Sequence, residues 1–599
     1  MPIDKARAYA AALMQPDPAL PPEHETHIMP RGGVDVVIQL AEPPVVSPEL
    51  NVRKINWFEA CGHRLWRVCW TIQRISKRQR KQSRLGWWSV LTDLQGCYRR
   101  ASLYRGVSYQ QWLALNTLTA QDKRRAEHWM RRHPLLPRID IRIEGDTDSE
   151  AYALTDASLQ RQWYRRFNLL EKQAAVTHDW LILLQAGDQL PEHALLWFAA
   201  EAQRHAEAAM IYADDDVWLD GQRSAPRFKP DWTALTFKAY DYIGRAVMLN
   251  TRQCRALQLL PESFELASLR PVMLALSQPQ SALVRHIPAI LLHQGEQAVQ
   301  PVPALEPVCQ ATPLISIIIP TRDMADYMMR CVDSVFALTT YQRYEVIVID
   351  NGSEDQRLLD YLAGMAARHA NFSVIRDDRP FNYSALNNHA VAQAKGEIIC
   401  FLNNDIEVIT PDWLEHMLHW LQMPEVGVVG AKLYYADDTI QHAGVVVGPG
   451  GCANHLHAFV DGRESGYCER AMYPQELSAV TAACMLTRKS TFEALGGFEV
   501  ERLPVAFNDV DFCLRVRKSG LKVVWTPYAE LYHFESVSRR KDQSRQRKKQ
   551  AEGEVRYMRQ TWQTHMGHDP FYNPNFSYLR ADFVLAPVPD VEFPWQSWA

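Results

Sequence analysis

Residues 397–408 read EIICFLNNDIEV, an apolar run that ends in a cluster of amide and carboxylate side chains. The run is apolar throughout 398–402, as expected of a strand that is covered on both faces of a sheet. Thr410 can then cap a helix that has Pro411 in its first turn. Asp405 is therefore predicted at the carboxyl end of a buried strand in an α/β sheet, the edge where such sheets bind ligands. A carboxylate there suits a divalent cation that carries a diphosphate, and a turn aspartate beside a helix is the alternative interpretation.

The size and composition favour a reduced, multidomain protein. The chain has 599 residues, 47% of them hydrophobic, and a formal net charge of -4, which gives no general reason to expect nucleic-acid binding. Its 11 cysteines are scattered without a CxxC pair, which argues against a disulfide scaffold or a zinc domain. The first residues lack the order of a signal peptide, and no apolar run approaches the roughly 20 residues of a membrane-spanning helix. We expect a cytoplasmic protein.

The N-terminal region, residues 1–134, is predicted to be irregular and then helical and basic. Prolines punctuate the first 50 residues or so. Over 64–84, apolar residues fall at helical spacing among many arginines and lysines. Two interpretations stay open: a helix on the anionic inner face of a membrane, or a solvated helix packed on its own protein.

A strand–helix rhythm over 314–545 predicts a mostly parallel sheet with right-handed crossovers. Three of its strands end in polar clusters at 321–323, 350–353 and 403–407. Because the carboxyl ends of parallel strands share one edge, we expect the three clusters to converge. The chain has no P-loop, so a metal ion is the plausible holder of phosphate.

Residues 135–300 repeat landmarks of 314–545 in the same order. The strand LILL (181–184), followed by Asp188, parallels the strand that leads to Asp405, AVML (246–249) parallels ACML (483–486), and Ile287-Pro288 with His293 parallels Thr526-Pro527 with His533. Matching landmarks argue for duplicated domains. They are separated by a proline-rich joint at 301–313 and followed by a C-terminal helix and tail at 546–599.

Two further segments of the second copy have side chains suited to chemistry. Asp509 and Asp511 lie at a predicted helix start, where the helix favours the ionised form of Asp509 and suits it to act as a general base. A plain N-terminal helix charge is the alternative for Asp509. His533 could ligate a metal or be a hydrogen-bonded core histidine.

Together these motifs resemble the inverting family-2 glycosyltransferases, which have the GT-A fold. The motifs that carry the resemblance are, in chain order, PTRD (320–323), DNGS (350–353), NN (387–388), NND (403–405), GGF (496–498), NDVD (508–511) and HFES (533–536). The tail DPFYNPN (569–575) resembles bacterial O-antigen and rhamnosyltransferase-type members. The resemblance implies an α/β fold of GT-A type, duplicated, with a degenerate first copy after the helical N-terminal region.

The resemblance also implies roles on the donor side. The residues expected to bind a nucleotide-sugar donor are Thr321, Asp323, Asp350, Asn388 and Asn404. Asp405, helped by His533, would bind Mg²⁺ or Mn²⁺ on the diphosphate. The family's metal motif often has two aspartates, whereas its first position here is Asn403.

On the acceptor side, the resemblance implies that Asp509 is the base that takes the proton of the acceptor hydroxyl. Asp511, His455 and His457 are expected to contact the acceptor, a glycan or a lipid-linked sugar, with His442 close by. The basic run over 539–549 would close over the diphosphate, contact a lipid-linked acceptor at the membrane, or form a solvated helix face.

The hypothesis from sequence is an inverting glycosyltransferase of bacterial surface-polysaccharide synthesis. The open alternatives are a sugar- or nucleotide-binding pseudoenzyme scaffold and a bifunctional enzyme with two sites. We expect the first copy to be catalytically silent, since 45 residues separate Ile143 from Asp188 (188 - 143), whereas 86 separate Ile319 from Asp405 (405 - 319). The segment 266–270 also has no carboxylate to match Asp509. Weak metal binding at Asp188 and 214–216 is expected to remain.

Overall fold

The computed structural model describes residues 107–171, 174–219, 221–259, 265–278, 283–295, 311–534, 545–578 and 581–596. The predictions for the basic segment at 64–84, for most of the proline-rich joint and for 539–541 lie outside these residues. The chain divides into two compact units, one of residues 1–116 with 584–590 and one of residues 117–583 with 591–599. In the first unit, helix α1 (Tyr109–Asn116) is described, and Val107 pairs with Leu585. Both sheets belong to the second unit.

The first sheet is built from residues 139–294. Its strands are β1 (Ile139–Glu144), β2 (Phe167–Leu170), β3 (Trp180–Gln185), β4 (Ala208–Leu219), β5 (Gln222–Arg227), β6 (Val247–Asn250) and β7 (Leu283–Gln294). The helices around it are α2 (Ala120–Arg132), α3 (Glu150–Gln160), α4 (Ala194–Arg204), α5 (Ala234–Ala239), α6 (Thr251–Ala256) and α7 (Leu269–Leu276). The strand order is β2-β1-β3-β6-β4-β5, and β7 pairs with β4.

The second sheet is larger. Its parallel half contains β8 (Ile315–Thr321), β9 (Tyr344–Asp350), β10 (Phe372–Arg376) and β11 (Ile398–Leu402). The other strands are β12 (Ile406–Val408), β13 (Val426–Tyr434), β14 (Ile440–His442), β17 (Gln475–Glu476), β18 (Cys484–Arg488) and β19 (Lys522–His533), while β15 (Val445–Val447) and β16 (Ala453–His455) form a separate pair. The helices are α8 (Ala325–Leu338), α9 (Gln356–Arg368), α10 (Tyr383–Gln393), α11 (Trp413–Leu421), α12 (Lys489–Ala494), α13 (Asn508–Lys518), α14 (Arg545–Thr561) and α15 (Gln563–Gly567).

The two sheets have corresponding strand pairings, the arrangement expected of duplicated domains. In the first sheet, β1 runs parallel to β2 and β3, β6 runs antiparallel to β3 and β4, and β7 runs parallel to β4. In the second, β8, β9, β11, β18, β13 and β19 repeat this arrangement. Because β18 runs antiparallel to β11 and β13, the second sheet is mixed and not mostly parallel as predicted. A nucleotide is expected to bind at its parallel half.

The first copy is shorter between its strands β2 and β3, in agreement with the spacing of its sequence landmarks. Between β2 and β3 it has an irregular connection, whereas the second copy has α9, β10 and α10 between β9 and β11. The short strand β2 was not predicted, because its sequence FNLL (167–170) has no clear alternation. The first copy therefore lacks the equivalent of one strand and two helices beside the expected nucleotide pocket.

The second sheet is buried because its strands are apolar on both faces. All residues of β8, β11 and β13 are buried. On one face the apolar side of α11, including the fully buried Trp413, packs against them. On the other face the ring of Phe401 packs at a tilt against Phe492 and Phe498. Among the residues that the structure describes, none of the helices has both the length and the apolar character needed to cross a bilayer.

Candidate active site

The carboxyl ends of β8, β9 and β11 meet at one edge, as predicted. Thr321 ends β8 in register with Asp350, the last residue of β9. The amide Nδ2 of Asn404, just after β11, donates to Thr321 Oγ1 at 2.9 Å. The backbone N–H of Asn351 donates to the Thr321 carbonyl at 2.8 Å. These bonds bring the three polar clusters together and place Thr321 and Asn404 side by side.

Asp350 and Asp323 hold the loops of this edge. Asp350 is 1% exposed; its Oδ1 accepts from Ser353 N at 3.0 Å and its Oδ2 pairs with Arg376 at 2.6 Å. Asp323 has a positive φ of 53°, and its Oδ1 accepts from the backbone N–H groups of residues 354 and 355. Both aspartates therefore shape the loop that follows β9, in addition to any contact with a ligand.

Sequence reasoning missed a charged cluster beside Asp350. Arg376 ends β10, and the next residues, Asp377 and Arg379, form an ion pair in which Arg379 Nε lies 2.8 Å from Asp377 Oδ1. His389 Nδ1 lies 2.9 Å from Asp377 Oδ2. The hydrogen bond from Arg379, with a smaller contribution from His389, lowers the pKa of Asp377. The signal that could have found it is the run RDDR (376–379) directly after a predicted strand.

Asp405 and His533 face each other across the end of β11. In the sheet, Ile406 on β12 pairs with His533 at the end of β19. Asp405 Oδ1 lies 3.1 Å from His533 Nε2. Two ligands at adjacent corners of an octahedral ion with bonds near 2.1 Å would lie about 3.0 Å apart. The spacing therefore fits a pair of ligands on one metal ion.

Gln441, which the sequence analysis missed, fixes the proton of His533. Its Nε2 donates to the His533 carbonyl at 3.1 Å, so its Oε1 is the atom that faces His533 Nδ1 at 2.5 Å. Nδ1 must then carry a proton, so in the neutral tautomer the lone pair is on Nε2. That nitrogen can ligate a metal ion, and outer hydrogen bonds of this kind are typical of metal-ligating histidines.

Asn403, the departure from the two-aspartate motif, also contacts His533. Its Nδ2 lies 3.2 Å from His533 Nε2, and its Oδ1 accepts from the Tyr383 hydroxyl at 3.2 Å. Within the described residues, no group of three or more histidine, cysteine, aspartate or glutamate side chains is placed to hold a metal. A metal ion at this edge would have Asp405 and His533 as its side-chain ligands, and a bound diphosphate and water would have to supply the others.

Asp509 lies in the first turn of α13 and is held by backbone amides. Its Oδ2 accepts from Ala482 N at 3.0 Å and its Oδ1 from Val510 N at 2.8 Å. Ala482 lies two residues before β18, the neighbour of β11, so the bond ties the carboxylate to the sheet. The side chain is half-buried, so it is oriented without being sealed from solvent.

Asp511 has a different environment. It is 1% exposed, with Oδ2 2.8 Å from Arg515 Nε and Oδ1 accepting from the Trp562 indole N–H at 2.9 Å. Both oxygens are occupied inside the protein. The structure therefore does not bring Asp511 together with Asp509 at an open surface. Asp511 instead links α13 to Trp562, which lies between α14 and α15.

The predicted acceptor histidines separate into two groups. His442 and His455 lie with their Nδ1 atoms 2.8 Å apart. His457 is 4% exposed; its Nε2 accepts from Tyr467 N at 3.1 Å, and its ring packs against Phe583. Burial lowers the pKa of His455 to about 4 and that of His457 to about 3, so both rings are neutral at pH 7. His457 is thus a core histidine in this structure.

Asn388 is occupied by the protein backbone. Its Nδ2 donates to the Phe498 carbonyl and its Oδ1 accepts from Phe498 N, both at 2.9 Å. Gly497 has a φ of 68°, and a Cβ there would lie 2.8 Å from Asn388 Oδ1. The asparagine and the glycine together fix the GGF turn against α10, so the NN (387–388) and GGF (496–498) motifs contact each other.

In the first copy, an arginine side chain lies beside Asp188, where a metal ion would otherwise bind. Asp188 follows β3 as Asp405 follows β11, and it pairs with Arg245 through Nη2 at 2.7 Å and Nε at 3.0 Å. This pairing argues against the weak metal binding expected there, because the guanidinium already neutralises the carboxylate. In 214–216, Asp215 binds Arg227 and Lys229, and Asp216 binds Arg223. Helix α7, in the position of α13, has no acidic residue in its first turn.

Asp214 belongs to a buried network that reaches the C-terminal tail. His286 Nε2 lies 2.9 Å from Asp214 Oδ1, and His286 Nδ1 lies 3.0 Å from Asp231 Oδ1. Burial opposes the charge of His286, but the two carboxylates outweigh it and raise its pKa to about 9. Asn573 donates to Asp214 Oδ2 at 3.0 Å. The DPFYNPN tail thus binds the first sheet.

Comparisons with known proteins match one family model within the second copy and several relatives over longer stretches of the chain. Residues 316–495 match the family model described as Glycosyl transferase family 2. An uncharacterized protein of Sinorhizobium fredii is 39% identical over 68% of this chain and 49% of its own length, and the O-antigen biosynthesis protein RfbC of Myxococcus xanthus is 34% identical over 76% of this chain and 38% of its own. The chain thus spans half or less of these two relatives.

A third relative supports the resemblance to rhamnosyltransferases. The N-acetylglucosaminyl-diphospho-decaprenol L-rhamnosyltransferase of Mycobacterium tuberculosis is 23% identical over 39% of this chain and 79% of its own length. The matched family segment begins in β8 and ends just after α12, so it contains the three strand ends. The second copy of the chain therefore contains a segment, residues 316–495, that matches the Glycosyl transferase family 2 model, and the chain is similar to an O-antigen biosynthesis protein and to an L-rhamnosyltransferase.

Proposed function

We propose that the second copy is an inverting glycosyltransferase that moves a sugar from a nucleotide-sugar donor to a glycan or lipid-linked acceptor in surface-polysaccharide synthesis. The observation that carries the proposal is the shared edge at which Thr321, Asn404, Asp405 and His533 lie together. The family match and the likeness to the O-antigen protein support the reaction class.

The donor would bind across the ends of β8, β9 and β11. Thr321 and Asn404 are the polar side chains of this edge, and Asp350 with Arg376 forms its far wall. Asp323 and Asn388 support the surrounding loops through the backbone contacts described above. This arrangement supports a nucleotide bound toward β9 with its diphosphate toward Asp405.

Asp405 and His533 would hold Mg²⁺ or Mn²⁺. The nitrogen ligand favours Mn²⁺ of the two, because imidazole suits transition metals better than Mg²⁺. When bound, the ion stabilises the negative charge that develops on the leaving diphosphate. Gln441 keeps the ring of His533 oriented with its lone pair toward Asp405.

Asp509 would act as the base. The amide bonds from Ala482 and Val510 orient its carboxylate, so that it can take the proton of the acceptor hydroxyl as that oxygen attacks the anomeric carbon. Attack on the face opposite the leaving diphosphate inverts that carbon. Asp511 supports α13 through Arg515 and Trp562 and does not take part directly.

The test is nucleoside-diphosphate binding by Asp405→Ala. With the purified chain, isothermal titration of several nucleoside diphosphates in Mn²⁺ and in EDTA identifies the preferred base. For that nucleotide we expect Asp405→Ala to bind at least about tenfold more weakly in Mn²⁺ and to match the wild type in EDTA, since a metal ligand is lost. Asp188→Ala is the matched control and should keep wild-type affinity. Equal Mn²⁺-dependent binding by Asp405→Ala and wild type would contradict the site.

A further inference from the structure

His442 and His455 are hydrogen-bonded to each other, and their contacts define which ring nitrogens carry a proton. Their Nδ1 atoms are 2.8 Å apart, so exactly one of the two nitrogens carries a proton. The backbone N–H of Thr481 donates to His442 Nε2 at 3.4 Å. A backbone N–H can only donate, and His442 Nε2 must therefore be the bare nitrogen of its ring. It follows that His442 carries its proton on Nδ1 and donates it to His455.

The proton of His455 is then assigned as well. Its Nδ1 accepts from His442, and the neutral ring must carry its hydrogen on Nε2. Neutrality is supported for both rings, since burial holds the pKa of His442 well below its usual value and that of His455 near 4. The chain of bonds runs from the Thr481 amide through His442 to His455, and it ends in an N–H donor.

The histidine pair is connected to the proposed base, Asp509, through the backbone of residues 481 and 482. Thr481 contacts His442, and the next residue, Ala482, donates to Asp509 Oδ2 at 3.0 Å. His442 ends β14 and is fully buried, whereas His455 ends β16 and is only half-buried. Asp509 is also close enough to oppose the lowering of the pKa of His455. The donor end of the chain thus lies on the more open side, near Asp509.

We propose that His455, through Nε2–H, donates a hydrogen bond to an oxygen of the acceptor sugar, and that His442 is the positioning residue that fixes this proton. The inference rests on the proposed transfer reaction and adds a specificity-determining contact to it. Because Nε2 already carries its proton, His455 cannot compete with Asp509 for the proton of the attacking hydroxyl. The two side chains therefore have separate tasks, with His455 orienting the acceptor and Asp509 activating it.

The first test determines which ring nitrogen of His455 carries the hydrogen. In ¹⁵N-histidine-labelled protein, long-range ¹H–¹⁵N spectra at pH 7 distinguish the two neutral tautomers, and the variant His455→Gln assigns the signal. We expect His455 to carry its hydrogen on Nε2 in the wild type and to lose this preference in His442→Leu. A wild-type His455 with its hydrogen on Nδ1, or in the charged form, would overturn the proposal.

The second test measures acceptor use, with a panel of 4-nitrophenyl glycosides as acceptor probes. His442→Leu should raise the KM for the best glycoside about tenfold and leave the donor KM unchanged, because one positioned hydrogen bond is lost. His442→Asn places an amide N–H near the former Nδ1 and should restore most of the affinity. His416→Leu, at a half-buried histidine of α11, is the control and should behave as wild type.

An unchanged acceptor KM in His442→Leu, or an equal rise in donor and acceptor KM, would overturn the proposal. Failure of the wild type to transfer sugar to any acceptor would instead count against the proposed function. In that case the tautomer measurement still decides the assignment of the histidine pair, so the two failures are distinguishable.

Discussion

Gln441→Met should weaken metal binding without removing a metal ligand. The side chain makes two bonds to one residue, at 2.5 Å to His533 Nδ1 and at 3.1 Å to the His533 carbonyl. Methionine fills a similar volume but cannot accept the Nδ1 proton. The ring of His533 can then move its proton to Nε2, the nitrogen that faces Asp405, which would block the lone pair that a metal needs.

The size of the expected loss in metal affinity follows from the buried Nδ1–H group of His533, which no longer has an acceptor. An unsatisfied buried N–H costs about 1–3 kcal/mol, and loss of a hydrogen bond to a ligating histidine reduces metal affinity by roughly 10–100-fold. The two ranges agree, since a tenfold change corresponds to about 1.4 kcal/mol. We therefore expect Mn²⁺ to bind Gln441→Met roughly 10–100-fold more weakly than wild type in the presence of the preferred nucleoside diphosphate.

The assay is isothermal titration with Mn²⁺, with a thermal unfolding curve for each protein to show that it is folded. Gln162→Met is the matched control: Gln162 is also buried, donates to the Leu190 carbonyl at 3.2 Å and accepts from Leu195 N, but it lies in the first copy. Wild-type Mn²⁺ affinity in Gln441→Met, or an equal loss in Gln162→Met, would refute the reasoning.

Asp188→Asn combined with Asp215→Asn should leave sugar transfer unchanged, because both carboxylates pair with basic side chains; loss of one of two linkages in the product would instead show a bifunctional enzyme. The pKa of His286 is raised to about 9, so the ionised ring stabilises the fold fully below about pH 6.5 and loses this stabilisation as the pH rises through 9. In urea titrations between pH 7 and 9, the unfolding free energy of the wild type should therefore fall by roughly 2 kcal/mol more than that of His286→Gln. Trp562→Phe should destabilise the fold by about 1–3 kcal/mol and leave Mn²⁺ affinity unchanged, since it removes the indole N–H from the buried Asp511; weakened Mn²⁺ binding with normal stability would contradict a purely structural role for that aspartate.

The parts of the site that lie at strand ends were predictable from sequence. Apolar runs such as 398–402 define buried strands, and parallel strands bring their carboxyl ends to one edge whatever the details of packing. Thr321, Asp350 and Asn404 meet for this reason. The duplication was also readable, because apolar strands and the histidines after them recur in the same order.

The partners of these residues were not predictable, because they are distant in sequence and depend on packing. Gln441 reaches His533 across 92 residues, and Arg245 reaches Asp188 across 57. Arg245 has no local signal of its role, so the first copy was expected to retain weak metal binding. Asp511 and His457 have residue types suited to binding, and only the burial of their side chains shows that the protein itself occupies them.

The central claim is that Asp509 is the base of a transfer reaction in the second copy, and turnover by Asp509→Asn tests it most directly. Asparagine keeps the shape, and its single amide oxygen can accept one of the two backbone hydrogen bonds, from Ala482 or from Val510. Nucleoside-diphosphate affinity in Mn²⁺ should match wild type, because Asp509 is proposed to act on the acceptor and not on the donor. With the donor and acceptor found for the wild type, turnover should fall by roughly 10²-fold or more, the scale of a positioned base. Turnover near that of wild type, with the fold and donor binding intact, would contradict the account.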